Sequence, residues 1–410
     1  MSQLPRSQYD AIVVGGGPAG ATAAILLARM GQRVAVIEKA SFPRRKVCGE
    51  FISATTWPVL RGLGVAELLE RAAGPSVRRV GVFAGSSKVT ASIVRSDRGD
   101  LDGGRAVGRD VLDTVLLGQA GEAGAVLWQP WAATGFASHA GHHSCTIEHC
   151  DSGQRRMLES PLVIAAHGSW ESGPLPTQQF GRNRHASDLL GFKAHFRGAR
   201  LSSDLMPLIA FPGGYGGMVN TADGQLSLSL CVRRSQLDRC RIQWPGRKAG
   251  DAVLAHIFDH CTGVSEALSG ATPEGTWLAA GPIRPGIRTF GEAGVFAVGN
   301  AAAEAHPVVA EGISIAIQSA ALLCDALKPH LGTPLTPAAM VSVRREYASA
   351  WRANFQLRMR ASAFYAQIFM RPASTRVAMA VMERFPSVLQ LGAGWSGKAR
   401  FLRPVESLAR

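Results

Sequence analysis

Gly15, Gly17 and Gly20 stand in a G-x-G-x-x-G spacing, and Glu38 follows 18 residues after the last of them. Gly15 permits a tight turn, Gly17 lets the backbone approach a pyrophosphate, and Gly20 lets a helix pack closely on a strand. Pro18 and Ala19 lie inside this turn and are counted with it. The Glu38 carboxylate is placed to accept hydrogen bonds from ribose hydroxyls, which favours FAD or NAD over NADP. A second set is Cys48, Glu50, and His306 with Pro307. A cysteine becomes nucleophilic when neighbouring cations lower its pKa, and Arg45 and Lys46 are the candidates. A histidine beside a substrate pocket can accept or relay a proton near neutrality.

These residues need elements to hold them. Residues 10–38 read as an apolar strand (Ala11 to Val14), the glycine turn, a helix (Ala21 to Arg29), a Gly31 stop and a second strand from Arg33 to Ile37. Residues 104–120 have helical apolar spacing, with Arg109 near the helix start. A cation is unfavourable there on dipole grounds, which points to another partner. Residues 162–170 read as a strand ending in a Gly turn. Residues 294–323 read as a strand, a Gly-Asn turn, a Pro-interrupted loop and a helix from about Gly312, whose N-terminus can meet an anion.

These segments resemble the FAD-dependent monooxygenase and geranylgeranyl-reductase superfamily, which shares the aromatic-hydroxylase fold. The resemblance covers most of residues 8–330. It implies an α/β fold: a Rossmann-like FAD-binding domain of the glutathione-reductase type, an inserted mixed β-sheet substrate domain, and C-terminal helices. The expected parts are 8–75 and 76–175 for FAD with interdomain strands, 176–285 for the substrate sheet, 286–335 for FAD again, and 336–410 for basic helices. The resemblance assigns the ADP half of FAD to Gly15, Gly17, Pro18, Ala19, Gly20, Glu38 and Lys39. It places Arg45, Cys48 and Arg109 beside the cofactor, and Gly299, Asn300, Pro307, Gly312 and Ile313 along its ribityl and ring. Asn300 and His167 stand where the family usually has Asp. Asn can accept a hydrogen bond from a hydroxyl but supplies no negative charge, so altered electrostatics are expected.

The implied activity is a monooxygenase that hydroxylates an aromatic or polyketide-like substrate through a flavin hydroperoxide, with O2 and NADH, NADPH or a partner reductase as electron source. A prenyl or C=C reductase and a hydroxylase of a protein- or carrier-bound aromatic residue are the alternatives. No second G-x-G-x-x-G follows a strand, which argues against a reductase with two dinucleotide domains. Leu226, Leu228, Leu230 and Val232 alternate with polar or small residues, as in a half-buried strand after an Asp223-Gly224 turn. Where relatives carry an aromatic-x-Trp-x-x-Pro motif, this chain has Tyr215, Gly217 and Asn220. The halogenase W-x-W-x-I-P pattern is absent, which counts against halogenation. Glu50, Tyr215 and Gly217 are expected at the substrate, with Gly217 removing bulk. Arg284 and Arg288 either meet an anionic substrate or sit in a solvated loop.

The 410 residues carry 44 Lys+Arg against 30 Asp+Glu, a net charge of +14, with 46% hydrophobic and 18% charged residues. Such apolar content excludes a mainly disordered chain, and no run of about 18 apolar residues suggests a membrane span. Seven cysteines are too few for a disulfide scaffold, and the start lacks an apolar signal core, so a cytoplasmic protein, with or without peripheral membrane contact, is expected. Residues 341–410 hold 12 Lys+Arg, including Lys398, Arg400, Arg403 and Arg410, against three acids. Trp351, Phe355, Met359 and Phe364 recur near one helical stripe, with Arg352, Arg358 and Arg360 elsewhere. The tail reads either as helices capping the substrate domain or as a basic amphipathic surface for a membrane or acidic carrier. Nucleic acid is not expected, since no binding motif accompanies the charge. His139, His142, His143, Cys145, His149 and Cys150 match no zinc spacing and read as a surface hairpin, so no metal is expected.

Overall fold

A computed structural model describes residues 6–93, 103–169, 171–178, 184–292 and 294–393. Two sheets organise them. The first has six strands in the order Gly291–Glu292, Val295–Ala297, Leu162–Ala165, Ala11–Val14, Val34–Ile37, Val126–Trp128. The four central strands are parallel neighbours and buried on both faces. That burial is why they read as continuous apolar runs, without alternation. Helix α1 (Pro18–Arg29) leaves the central strand through the glycine turn. Its alanines let α2 (Arg109–Glu122) and α3 (Gly312–Leu327) pack beside it in the same core. The expected α/β FAD-type fold is what the structure shows.

The second sheet has seven strands in the order Thr272–Ile283, Leu189–Arg197, Gln225–Arg233, Gly214–Asn220, Leu205–Phe211, Arg79–Ala84, Ser87–Ser92. Its last two strands come from far upstream, and Arg79–Ala84 runs parallel to Leu205–Phe211. Asp223 and Gly224 both take positive φ, 59° and 68°, in the tight turn before Gln225–Arg233. That strand is not half-exposed as its alternation suggests. Ser227 and Cys231 are buried along with the leucines, because this face is covered by the loop that carries Cys48 and by the C-terminal helices.

The histidine-rich segment is a hairpin, Trp131–His139 against His142–His149, with the His139 and His142 rings stacked at 4.8 Å. All seven cysteines are free thiols.

Helix α4 (Pro337–Phe369) starts on a Thr336 cap whose hydroxyl accepts the Ala339 N–H at 3.2 Å. It ends before Arg371-Pro372, where α5 (Pro372–Arg384) begins, followed by α6 (Ser387–Ala393). Trp351 and Phe355 are fully buried, but Phe364 is 63% exposed. The stripe continues instead through Ser362 and Ala366. Arg358 also departs from expectation: it is buried, with its guanidinium 5.5 Å from the centre of the Phe355 ring. Met379 and Met382 of α5 join the core formed with Val82, Val89 and Tyr215 of the second sheet. Lys398, Arg400, Arg403 and Arg410 lie outside the described residues.

Candidate functional site

The three glycines of the turn have different causes. Gly15 takes φ +111°, and a Cβ there would sit 2.5 Å from the Ala166 carbonyl oxygen. A Cβ on Gly20 would lie 1.8 Å from the Gly15 carbonyl oxygen. Both are therefore required by the protein's own backbone. Gly17 is different: its nearest atoms are the Arg109 and Arg44 guanidinium nitrogens at 3.7 Å. It opens onto a cavity of about 430 Å³ that Pro18, Ala19, Glu38 and Lys39 also line. Glu38 is buried and accepts the Gly16 N–H at 2.9 Å and the Ala40 N–H at 2.8 Å.

Three cations surround that turn. Arg109 donates twice to Asp113, one helical turn on, at 2.7 Å each. Arg44 bridges Glu38 at 3.2 Å and Asp113 at 3.3 Å. Burial, then the Arg109 and Arg44 charges, push the Lys46 amine down to about 8. Such crowding resists a third charge and welcomes an anion. It resolves the odd position of Arg109 at a helix start. Arg45, expected beside the cofactor, is a correction: its guanidinium meets His195 Nδ1, and Arg44 takes the wall position. In a loop no periodicity says which of two adjacent arginines faces inward. Lys39 pairs with Glu171 at the rim.

Across the cavity, Asn300 Nδ2 donates to Ser169 Oγ at 2.8 Å and to Glu304 at 3.3 Å, and Ser169 donates to Glu304 at 2.5 Å. The buried Glu304 lines the cavity. The carboxylate expected to be lost at position 300 is therefore supplied four residues later. Sequence reading missed it, although a lone acid in the apolar run AAAEAHP was a usable signal. Arg288 donates to Glu304 at 2.8 Å and Arg284 to Asp188 at 3.2 Å, so neither is held for an anionic substrate. His167 shares a hydrogen bond with Thr177 at 2.9 Å, and burial pushes its ring down to about 4. It is thus neutral where an Asp would be charged.

Pro307 opens a short turn closed by Ala310 at φ 53°, and α3 then starts at Gly312, around which a Cβ would meet nothing within 4 Å. Gly299, Pro307, Gly312 and Ile313 all line the cavity. These residues fit FAD. Two helix N-termini and three cations suit its diphosphate, Glu38 its ribose, and Ser169, Asn300 and Glu304 its polyol. Gly17 and Gly312 leave the backbone bare where the cofactor must approach.

The rest of the wall includes Cys48, Glu50, Tyr215, Ser229, Cys231, Ile283 and His306. Cys48 Sγ accepts the Glu50 N–H at 3.4 Å, and its carbonyl accepts from Ser229 Oγ at 2.8 Å. Glu50 takes a positive φ of 59° and is buried. Its carboxylate is held by Lys193 and by His195 Nε2 at 3.0 Å, so it positions the loop and is not free for substrate. Lys193 and His195 sit two residues apart on one strand face, a buried Lys in an apolar strand that sequence reading passed over. Gly217 pairs with Ser229 on the same sheet face but does not line the cavity, which corrects its expected role.

His306 also requires correction. Its Nδ1 is 3.2 Å from the Tyr215 hydroxyl, and burial together with the Arg233 charge pushes the ring down to about 4. The proton relay near neutrality is therefore not available. Between pH 5 and 8 no step in kcat/KM is expected from His306, and a His306→Asn variant should give a pH profile of unchanged shape. A limb near pH 6.5 that vanishes in the variant would contradict this assignment.

Fold and site together define an FAD-dependent oxidoreductase. The chain belongs to the FAD binding domain family, whose model matches residues 8–334. Among solved structures it resembles the myxobacterial chondrochloren halogenase, with a TM-score of 0.74 at 20% identity, covering 98% of this chain and 96% of that one. It is 25% identical over 346 residues to menaquinone reductase of Mycobacterium tuberculosis, 78% of this chain and 76% of that protein. It is 48% identical over 67 residues to the 1H-pyrrole-2-carbonyl-[peptidyl-carrier protein] chlorinase of Pseudomonas fluorescens. That match spans only 16% of this chain and 15% of the chlorinase. Among the described residues no helix is long and apolar enough to cross a membrane.

Proposed function

We propose that the protein is a monooxygenase that hydroxylates an aromatic, lipid-like or polyketide-like substrate. The observation that carries this reading is the Tyr215–His306 pair in the cavity wall beside Pro307. Burial and Cys231 raise the Tyr215 phenol well above its ordinary range, so it stays protonated. In the tautomer in which this phenol donates to His306 Nδ1, the ring proton sits on Nε2. A neutral N–H donor suits a phenol or carbonyl oxygen, whereas a purely apolar isoprenoid offers it no partner. Bound FAD supplies the redox chemistry. One oxygen atom of O2 enters the ring and the other leaves as water, with two electrons from NADH, NADPH or a partner reductase. The chain's own task is to orient the ring and exclude water, with Ile283 and Cys231 as apolar wall and the Glu50 network fixing the Cys48 loop.

A C=C reductase is the second reading, favoured by the long match to menaquinone reductase. Halogenation draws on structural likeness and short sequence matches, against which Gly217 and Asn220 depart from the expected motif. Purified FAD-loaded protein separates them. Oxygen-dependent NAD(P)H consumption stimulated by an alkylated phenol, with a product heavier by one oxygen, is expected. Anaerobic reduction of an isoprenoid quinone, or a product that gains bromine when bromide is added, would replace this reading with the second or the third.

A further inference from the structure

Of the fourteen large apolar side chains that are exposed among the described residues, seven fall between Leu357 and Leu391. Phe364 is 63% exposed, Val377 67%, Phe385 57% and Leu391 61%. Val377 and Val381 lie four apart on α5, opposite the Met379 and Met382 face that joins the core. The helices that carry these side chains are neighbours, and Gly392 of α6 lies against the Tyr365 hydroxyl of α4. Isolated exposed apolar residues need no explanation, but a cluster of this kind marks a contact surface.

The charges beside the cluster are predominantly positive. Arg360, Arg371, Arg376 and Arg384 are exposed and form no ion pair among the described residues, and Glu383 is the acid among them. Apolar side chains flanked by guanidiniums without an acidic partner among the described residues match a bilayer whose headgroups are anionic: the chains enter the acyl boundary while the arginines meet phosphates. An acidic surface without apolar depth would satisfy the arginines but not the valines and phenylalanines, which an acyl boundary accommodates. The same face adjoins a second cavity of about 220 Å³, lined by Met359 and Arg360 of α4 and by Glu304 and His306, which also line the main cavity.

We propose that the outer face of α4, α5 and α6 docks on an anionic lipid surface. The docking does not depend on the hydroxylation reading, because the test involves no turnover. FAD-bound full-length protein is sedimented with vesicles of phosphatidylcholine alone or of equal parts phosphatidylcholine and phosphatidylglycerol. Binding to the anionic vesicles is expected, at least about tenfold weaker on the neutral ones and weakened by salt. Arg376→Gln with Arg384→Gln should lower binding by about 25-fold, at about fivefold per arginine. Val377→Ser with Val381→Ser should also lower it while FAD content and melting temperature stay unchanged. No binding to anionic vesicles, or variants that bind as the parent does, overturns the proposal. So does a dimer in solution that Val377→Asp dissolves, since a second copy would then cover the face.

Discussion

Gly20→Ala is expected to yield protein without FAD and with a melting temperature lowered by several degrees. The added methyl would lie 1.8 Å from the Gly15 carbonyl oxygen, far inside any contact that real side chains make. Nothing flexible can move aside, because the obstacle is backbone. Relief means displacing the start of α1 from the central strand, at a cost of about 3 kcal/mol or more for such overpacking. Gly17→Ala is the paired experiment. Its methyl has 3.7 Å of clearance, so the apoprotein should melt as the parent does. The same methyl occupies the approach of the pyrophosphate, so FAD affinity should fall at least about tenfold. Flavin content and apoprotein melting, measured on both variants, separate a fold defect from a cofactor defect. Parental FAD content in Gly17→Ala would show that the diphosphate does not lie on this turn.

The second large effect concerns Glu50. Burial works to raise its carboxyl, but the His195 hydrogen bond and the Lys193 charge outweigh it and hold the group at about 2. Lys193→Met removes the main counter-charge and leaves the buried carboxylate held by His195 alone. Breaking a buried pair in this way costs about 3–5 kcal/mol. Glu50→Gln combined with Lys193→Met removes both charges and should recover most of that loss. Urea midpoints of the two variants test the order, and a double variant no more stable than the single would refute it. The pH sign follows from the depressed value. In the unfolded chain the carboxyl titrates near 4.5, so its contribution is complete above that pH and is lost as pH falls toward 2. Lys193→Met should blunt this acid-side loss.

Much of the cofactor half was legible because its signals are local. Strand, glycine turn, helix and terminal acid occupy one stretch of sequence, and the structure keeps that order at Ala11–Val14, Pro18–Arg29, Val34–Ile37 and Glu38. What escaped reading depends on contacts between distant segments. Asp113 was within reach, being four residues from Arg109 on a helix, yet Arg44 joins it only through a loop. Glu304 reaches Asn300 because a short turn brings it back, and nothing in the spacing announces that. The Glu50–Lys193 contact links residues more than a hundred positions apart. His306 was read from its residue type and its place beside Pro307, and only burial, which depends on the whole fold, decides its charge. Alternation misled at Gln225–Arg233 because it distinguishes two faces of a strand but not solvent from a pocket.

The cavity wall draws on Gly17, Arg109, Ser169, Asn300 and Gly312 in turn, so its parts are spread over most of the chain. The seven-stranded sheet is likewise closed by Arg79–Ala84 pairing with a strand made more than a hundred residues later. During synthesis the glycine turn therefore emerges long before the opposite wall exists. A nascent chain that has not yet exposed α3 offers the cofactor one helix end and no roof. FAD capture is accordingly expected to follow the synthesis of α3.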